Sequence, residues 1–465
     1  MQYFFILGNN PTLSLAEISA VFGLDKIQGY LAAPDVFILE TGQEISPAEL
    51  IKKLGGTIKI GLIMAGSEPN KEALLKQAIS LIDKQEKPGK FKFGLSYYGC
   101  KKMKLHRQKS VASYVGAWSE TPHRKPYGHY TFIPRQESRA FWCGVNLKPI
   151  GMAIKKYLQG QKISCRFVTS KEKTLSSVVV EQNKLTSRGI EIVLIEEDGK
   201  ILIGKTLAVQ PFKELSFRDY GRPRRDDYSG MLPPKLAQIM INLATPAVGT
   251  QDVGTQDFVF PQKNFVILDP FCGSGTILTE AVLMGYKNLI GSDISQKAVE
   301  DTKKNMTWVK NKFGIDIRQS SIDIRNLSAT ELSRVIKPQS IDAIITEPYL
   351  GPPGGKIDIK KIAQELEQLY TKSLSEFNKI LKPGGRIVMI WPVFRISHIA
   401  QHITPNINCF KIINPIPESL RQNKAIILTD RNTIIYGREQ QKVWREIVIL
   451  EKESESEIHK SRPAQ

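Results

Sequence analysis

Residues 266–277, Val-Ile-Leu-Asp-Pro-Phe-Cys-Gly-Ser-Gly-Thr-Ile, constrain the fold of this chain more than any other stretch. An apolar run meets an acid, then a Gly-x-Gly turn, then a helix expected from Ile277 to Met284. A doubly wound α/β domain opens with such a turn, and its ligands bind at the carboxyl ends of the strands. Gly273 and Gly275 let a ligand approach the backbone, because no Cβ stands in the way. The acid precedes the glycines, and Leu278 stands where a dinucleotide fingerprint places its third glycine. The pattern suits a cationic, phosphate-free cofactor better than a pyrophosphate.

With 465 residues the chain has room for two or three domains. Residues 1–230 hold 35 basic and 22 acidic side chains; residues 231–465 hold 30 and 24. Most of the +19 excess therefore lies before the Gly-rich domain. Such an excess reads as a nucleic-acid footprint, since Lys and Arg release counterions from phosphates. A solubility device or a basic proteome would give the same number. The five cysteines (100, 143, 165, 272, 409) form no C-x-x-C pair, which fits free thiols and a reducing compartment. No signal peptide is read at the start, and no run of about 18 apolar residues exists to span a membrane. The expectation is a cytoplasmic protein.

Strands are expected at 3–7, 36–40, 57–65, 92–98 and 163–168, and helices at 12–22, 47 onward, 71–82, 150–158 and 171–183. The Asp-Gly pair at 198–199 signals a hairpin between strands 190–195 and 201–209. Thr12 or Ser14 is the expected cap of the first helix. Residues 101–148 differ: they carry ten basic and two acidic residues, with aromatics interleaved. Such a segment can grip RNA by phosphate pairing and base stacking, and it equally fits a surface insertion without a role. His106, His123 and His129 lack acidic or cysteine partners at ligand spacing, so no metal site is expected. The pentapeptide Val-Gly-Thr-Gln-Asp occurs twice in 248–257 and reads as an exposed loop.

After the Gly-rich turn, β and α segments alternate. Strand two is expected at 289–294, a long helix to Phe313, strand three at 315–322, strand four at 341–346, a helix at 359–381 and strand five at 386–391. Segments 424–429 and 444–450 are expected to close the sheet. The first turn resembles motif I of S-adenosylmethionine-dependent methyltransferases. That resemblance puts the methionine moiety over Asp269 and Gly273–Gly275, the ribose hydroxyls on Asp293, and the adenine amino group on Asp323. Each acid taken singly also reads as a capping aspartate at a strand end.

Strand four ends Thr346-Glu-Pro-Tyr-Leu-Gly351. Methyltransferases that act on exocyclic amines carry Asp- or Asn-Pro-Pro-Tyr at this place. An exocyclic amine is a poor nucleophile, because its lone pair is delocalised into the ring. A side-chain oxygen and the next carbonyl accept both N–H bonds, and a stacked aromatic holds the extruded base. Glu347, the carbonyl of Pro348 and Tyr349 could fill these roles. The plain structural alternative is a proline turn with Glu347 solvated.

The segments Arg166-Phe-Val-Thr-Ser-Lys171, Gly204-Lys-Thr-Leu-Ala-Val-Gln210, Arg218-Asp-Tyr-Gly-Arg-Pro223 and Pro234-Lys-Leu-Ala237 extend the likeness. With them the chain resembles the THUMP-domain tRNA guanine-N2 methyltransferases. The resemblance implies an α/β fold: a Rossmann-like S-adenosylmethionine-dependent methyltransferase domain preceded by a smaller α+β N-terminal region including a THUMP domain. The implied domains are a module at 1–65, a THUMP-like domain at 66–215 with the basic insertion at 101–148, a linker at 216–230, the catalytic domain at 231–450 and a disordered tail at 451–465. The implied cofactor contacts are Asp269, Pro270, Cys272, Gly273, Ser274, Gly275, Asp293 and Asp323. The implied catalytic residues are Glu347, Pro348 and Tyr349. The RNA contacts would be Arg166, Lys171, Lys173, Lys205, Arg218 and Arg222, with tRNA or another structured RNA as partner and no metal.

Two departures from the family pattern stand out. The family reads Thr-Asp-Pro-Pro-Tyr-Gly, so this chain has a longer acid and an aromatic one position early. Residues 101–148 match nothing in the pattern. The leading expectation is a methyltransferase acting on a guanine amine of tRNA. A DNA amino-methyltransferase shares both motifs, and an RNA-binding protein with an impaired transferase domain would account for Glu347.

Overall fold

Phe91, Phe93, Leu95 and Tyr97 alternate with Lys92, Gly94, Ser96 and Tyr98, and this period of two writes a strand with one apolar face. A computed structural model describes residues 1–23, 28–87, 89–99, 146–226, 231–245, 264–316, 320–352, 358–396, 399–407, 409–437 and 441–453. The basic segment 101–145 with its three histidines, the repeat at 248–257 and the tail from 454 lie outside the described residues.

The first elements are β1 (Gln2–Leu7), α1 (Pro11–Phe22), β2 (Gly29–Ala33), β3 (Val36–Glu40), α2 (Pro47–Lys53), β4 (Thr57–Ser67), α3 (Lys71–Asp83) and β5 (Phe91–Tyr98). After them come α4 (Leu147–Gly160), β6 (Cys165–Val168), α5 (Ser177–Gln182), β7 (Gly189–Glu197) and β8 (Lys200–Val209). The chain divides into two compact units. The first holds Met1–Ile6, Tyr30–Ile38 and Lys59–Val209; the second holds Leu7–Gly29, Leu39–Ile58 and Gln210–Gln465.

The first unit is built on a sheet of order β2-β3-β1-β4-β8-β7-β5-β6 among the described residues. Residues 1–65 are therefore no separate module, because β1 to β4 continue the sheet of β5 to β8. Leu74, Ala78 and Ile82 of α3 and Ile154 and Leu158 of α4 pack on Phe93, Ile192 and Ile203. On the other face, Lys59 Nζ donates to Glu191 Oε1 at 2.5 Å and to the Leu175 carbonyl at 2.6 Å. Ser96 and Thr206 also donate to Glu191, so this buried ion pair keeps the hydrogen bonds that offset its desolvation.

The second unit adds α6 (Phe212–Tyr220), α7 (Pro234–Ala244), β9 (Val266–Asp269), α8 (Thr276–Leu283), β10 (Asn288–Asp293), α9 (Gln296–Phe313), β11 (Ser321–Asn326), β12 (Ile341–Thr346) and α10 (Ile359–Ile380). It ends with β13 (Leu381–Ile396), β14 (Ile399–His402), β15 (Phe410–Ile412), α11 (Glu418–Arg421), β16 (Ile434–Tyr436) and β17 (Val443–Lys452). The sheet order is β11-β10-β9-β12-β13-β17-β15, with β14 on β13 and β16 on β17. Strands β11 to β13 run parallel, and β17 is antiparallel to β13. The order reverses between β9 and β12, the switch point where open α/β sheets bind ligands. Glu17 of α1 is buried and accepts from Gly55 N, Gly56 N and Asn242 Nδ2 of α7 at 2.8–2.9 Å.

Several expected elements differ. Asn10, not Thr12 or Ser14, caps α1, its Oδ1 accepting from Leu13 N at 3.0 Å. Residues 216–220, expected as the start of a linker, belong to helix α6 (Phe212–Tyr220). Strand three occupies Ser321–Asn326 rather than 315–322, because Asn288 of β10 pairs with Ser321. Residues 424–429 form no strand: Ile427 N bonds Thr12 Oγ1 at 2.9 Å, and the sheet takes Ile434–Tyr436 instead.

Candidate active site

The apolar run Val266–Leu268 buries β9 and delivers Asp269 to the strand end, where the glycine turn begins. Gly275 has φ +82°, and a Cβ there would lie 2.8 Å from Thr302 Cγ2. Only glycine satisfies both the left-handed backbone and the approach of α9. Gly273 has φ +52°, but a Cβ there would meet no atom within 4 Å, so the space beside it is open. This open side of the glycine turn forms a cradle in which the backbone can be approached closely.

Two α9 side chains hold the turn. Thr302 Oγ1 donates to the Gly273 carbonyl at 2.8 Å, and Asn305 Nδ2 donates to the Ser274 carbonyl at 2.8 Å. Sequence reasoning missed both; their spacing of three places them on one face of α9. Asp293 Oδ2 accepts from Gly273 N at 3.0 Å and Oδ1 from Ser295 N at 2.9 Å. The expected ribose ligand therefore also ties the second strand end to the turn.

Asp269 is 1% exposed. Its Oδ1 accepts from Thr346 Oγ1 at 2.8 Å and from Phe271 N at 3.2 Å. Burial pushes its pKa up to about 7, and the neighbouring Asp293 and Glu347 push in the same direction. The carboxylates of motif I, of strand two and of strand four thus share one electrostatic neighbourhood. Pro270 and Cys272 are buried, and burial raises the Cys272 thiol well above its ordinary range.

Asp323 stands elsewhere. It lies in mid-strand opposite Ile290, while Asn326 is the residue level with Asp293. Its carboxylate accepts from Arg325 Nε at 2.6 Å. The residue expected at the third strand end is three residues short of it, because the strand begins later than its apolar run suggested.

At the fourth strand end, Glu347 is 13% exposed and pairs with Arg445 of β17, Nε to Oε1 at 2.5 Å. Burial raises the Glu347 pKa, and Arg445 opposes that shift. Its Oε2 and the Pro348 carbonyl have no hydrogen-bond partner among the described residues. Tyr349 is 55% exposed, so its ring does not enter the core. The Tyr349 carbonyl accepts from the buried Tyr370 hydroxyl at 2.7 Å, which pins the turn. Arg445 and Tyr370 lie 98 and 21 residues from their partners, and no motif marks either of them.

The expected RNA contacts divide. Arg166, Lys171 and Lys173 are exposed. Lys205 pairs with Ile192, on the α3–α4 face of its sheet, whereas Arg166 pairs with Lys92 on the opposite face. Arg218 and Arg222 are corrected outright: each is 6% exposed. Arg218 donates through Nε and Nη2 to both oxygens of buried Glu280, at 2.8 and 3.1 Å. Arg222 donates to Thr276 Oγ1 at 2.6 Å and to the Arg218 carbonyl at 2.9 Å. Buried charges need such partners, and burial withdraws both guanidinium groups from a phosphate on the surface.

The switch point, the glycine cradle and the carboxylate at the fourth strand end define a Rossmann-like methyltransferase domain. A family profile described as "RMKL-like, methyltransferase domain" matches residues 222–396, and one described as "DNA methylase" matches 102–304. The tRNA (guanine(10)-N2)-dimethyltransferase of Methanothermobacter thermautotrophicus is 34% identical over 36% of this chain and 40% of its own. The probable tRNA (guanine(10)-N2)-dimethyltransferase of Methanothermococcus thermolithotrophicus is 32% identical over 24% of this chain and 67% of its own. This chain belongs to the THUMP-domain tRNA guanine-N2 methyltransferase family. The match spans about half the length of the first curated relatives, from 40% to 54%. The crystal structure of TrmN from Thermus thermophilus is 16% identical, with a TM-score of 0.48 over 97% of this chain and 100% of that one.

Proposed function

We propose that this protein transfers a methyl group from S-adenosylmethionine to an exocyclic amine, guanine N2, of a tRNA. The observation that carries this reading is that Asp293 holds the Gly273 amide at 3.0 Å beside open space, while Asp269 at the neighbouring strand end feels the charges of both Asp293 and Glu347. Gly273, Ser274, Gly275 and Asp293 would hold the cofactor, with Asp269 supporting the turn from beneath. When bound, the sulfonium supplies a methyl group that is already activated for displacement. Glu347 Oε2 and the Pro348 carbonyl would accept the two amine N–H bonds and direct the lone pair, while Tyr349 stacks on the base. Proximity and orientation then carry most of the remaining barrier.

Arg166, Lys171 and Lys173 present cations on the first unit and would contribute to tRNA affinity. Among the described residues no helix is long and apolar enough to cross a membrane. Cys165, Cys272 and Cys409 are free thiols, which suits a reducing cytoplasm.

The test is tritium transfer from labelled S-adenosylmethionine to unmodified tRNA by the full chain. Transfer that is absent in Glu347→Ala supports the reading; wild-type transfer no higher than the variant's refutes it. Preferential labelling of duplex DNA would favour the DNA methylase alternative suggested by the second profile match. Cofactor binding by calorimetry without product on any RNA would leave an RNA-binding protein.

A further inference from the structure

Beyond the buried Arg218 and Arg222, the chain turns cations outward. A groove of about 810 Å³ on the second unit is lined by Arg224, Lys303, Lys304, Lys312 and Trp308, and among the described residues no acidic side chain lines it. The three lysines are exposed, and 49% of the Arg224 side chain is exposed. Asp301 lies 3.6 Å from Arg224 but is only 11% exposed, so it sits beneath that cation.

The aromatic floor is shared between two helices. The Trp308 ring of α9 lies 5.4 Å from Phe217 of α6 and 6.1 Å from Phe313. Lys312 Nζ sits 5.4 Å over the Phe217 ring. The strip is also held in place. Arg224 N donates to Asn305 Oδ1 at 3.0 Å, and Asn305 Nδ2 returns a bond to the Arg224 carbonyl at 2.9 Å. The same Asn305 supports the glycine turn through Ser274. A preorganised row of cations beside a half-buried indole costs little ordering entropy on binding.

We propose that this groove is a second RNA-binding site, separate from the Glu347 pocket, which takes a phosphodiester strand and stacks an unpaired base on Trp308. Lys303 and Lys304 are adjacent on α9 and Lys312 lies about two turns further along it, so the lysines can neutralise phosphates of one strand as point charges. The indole offers a flat π-face, which suits a base of any sequence. An acidic peptide would use the cations but leave the ring without a partner. A membrane surface would need apolar side chains projecting outward, whereas Trp308 forms part of the floor. The proposal requires no turnover, so it can fail or hold independently of the methyl-transfer reading.

Fluorescence anisotropy of a labelled, unmodified tRNA with the full chain tests it, measured over a range of salt concentrations. Lys303→Gln combined with Lys304→Gln is expected to weaken binding and make the log–log salt dependence shallower by about 1.4 to 1.8, two phosphate contacts' worth. Trp308→Leu is expected to weaken binding with the salt slope unchanged, because stacking releases no counterions. Melting curves check that each variant is folded; if the Trp308 variant is not, the exposed lysines decide alone. Wild-type affinity and slope in the folded lysine variant would overturn the site. So would binding to phosphatidylserine vesicles or polyglutamate that is tighter than to tRNA and lost in the same variant.

Discussion

Arg445 Nε donates to Glu347 Oε1 at 2.5 Å, and each side chain is 13% exposed. The arginine takes up one oxygen of an acid that is a methylene longer than the aspartate of the family pattern. The other oxygen has no hydrogen-bond partner among the described residues. Arg445→Met should therefore lower kcat at least tenfold while cofactor affinity holds, since an ångström of misplacement can cost about 100-fold. Arg445 opposes the upward shift that burial imposes on Glu347, so its loss should move the acid limb of the pH–rate profile to higher pH. Glu347→Asp should also lose activity, because the shorter side chain no longer reaches Arg445. Tritium transfer across a pH series checks all three; an unmoved profile in Arg445→Met would sink the idea.

The two turn glycines should respond differently to the same methyl group. Gly273→Ala adds a Cβ to open space and should cost only the left-handed backbone penalty, about 1–2 kcal/mol. Gly275→Ala adds that penalty to a 2.8 Å clash with Thr302, for an expected further 1–3 kcal/mol of overpacking. Chemical denaturation measures both. Calorimetry should find cofactor binding weakened in Gly273→Ala although the fold is kept.

Arg218→Ala should destabilise the second unit by about 3–5 kcal/mol, because Glu280 would remain buried without its cation. Removing both charges, as Arg218→Met with Glu280→Leu, should recover most of the loss. Where the variant is folded, the salt dependence of its tRNA binding should match the wild type. A shallower slope would restore Arg218 as a phosphate contact.

Two buried acids make a prediction for pH. Asp269 and Glu17 each have a pKa raised to about 7 by burial. A raised carboxyl pKa means that the folded chain binds more protons than the unfolded one between roughly pH 4 and pH 7. Stability should therefore fall as pH rises through that window, by up to about 1.4 kcal/mol per pH unit for each group. Asp269→Asn should flatten its share of the slope without abolishing folding. Urea titrations at pH 5, 6 and 7 would check the sign; stability rising with pH in the wild type and unchanged by Asp269→Asn would contradict it.

How much of this was legible beforehand follows from where the information sits. The glycine turn, the apolar strand ahead of it and the acid that follows strand two are local patterns, and each appears where it was expected. Asp323 falls in mid-strand because 315–326 offers two separate Ile-Asp-Ile patterns, at 315–317 and 322–324, and pairing with β10 selects the later one. The N-terminal 65 residues read as a module of their own, but sheet pairing merges β1 to β4 with later strands. Helix α6, nine residues long, is too short to show a full amphipathic pattern, and a helix of that length owes its stability to packing.

The amino-acid sequence by itself determined the Gly273–Gly275 turn, the order of alternating elements and the acid at position 347, since backbone sterics and periodicity act over a few residues. Only the tertiary structure decided that Arg445 completes Glu347, that Thr302 and Asn305 brace the turn, and that Arg218 and Arg222 face inward while Arg224 faces out. Charge can be read from composition. Whether a guanidinium meets water or a buried carboxylate depends on partners tens of residues away, because desolvation and pairing are settled only when distant segments pack together.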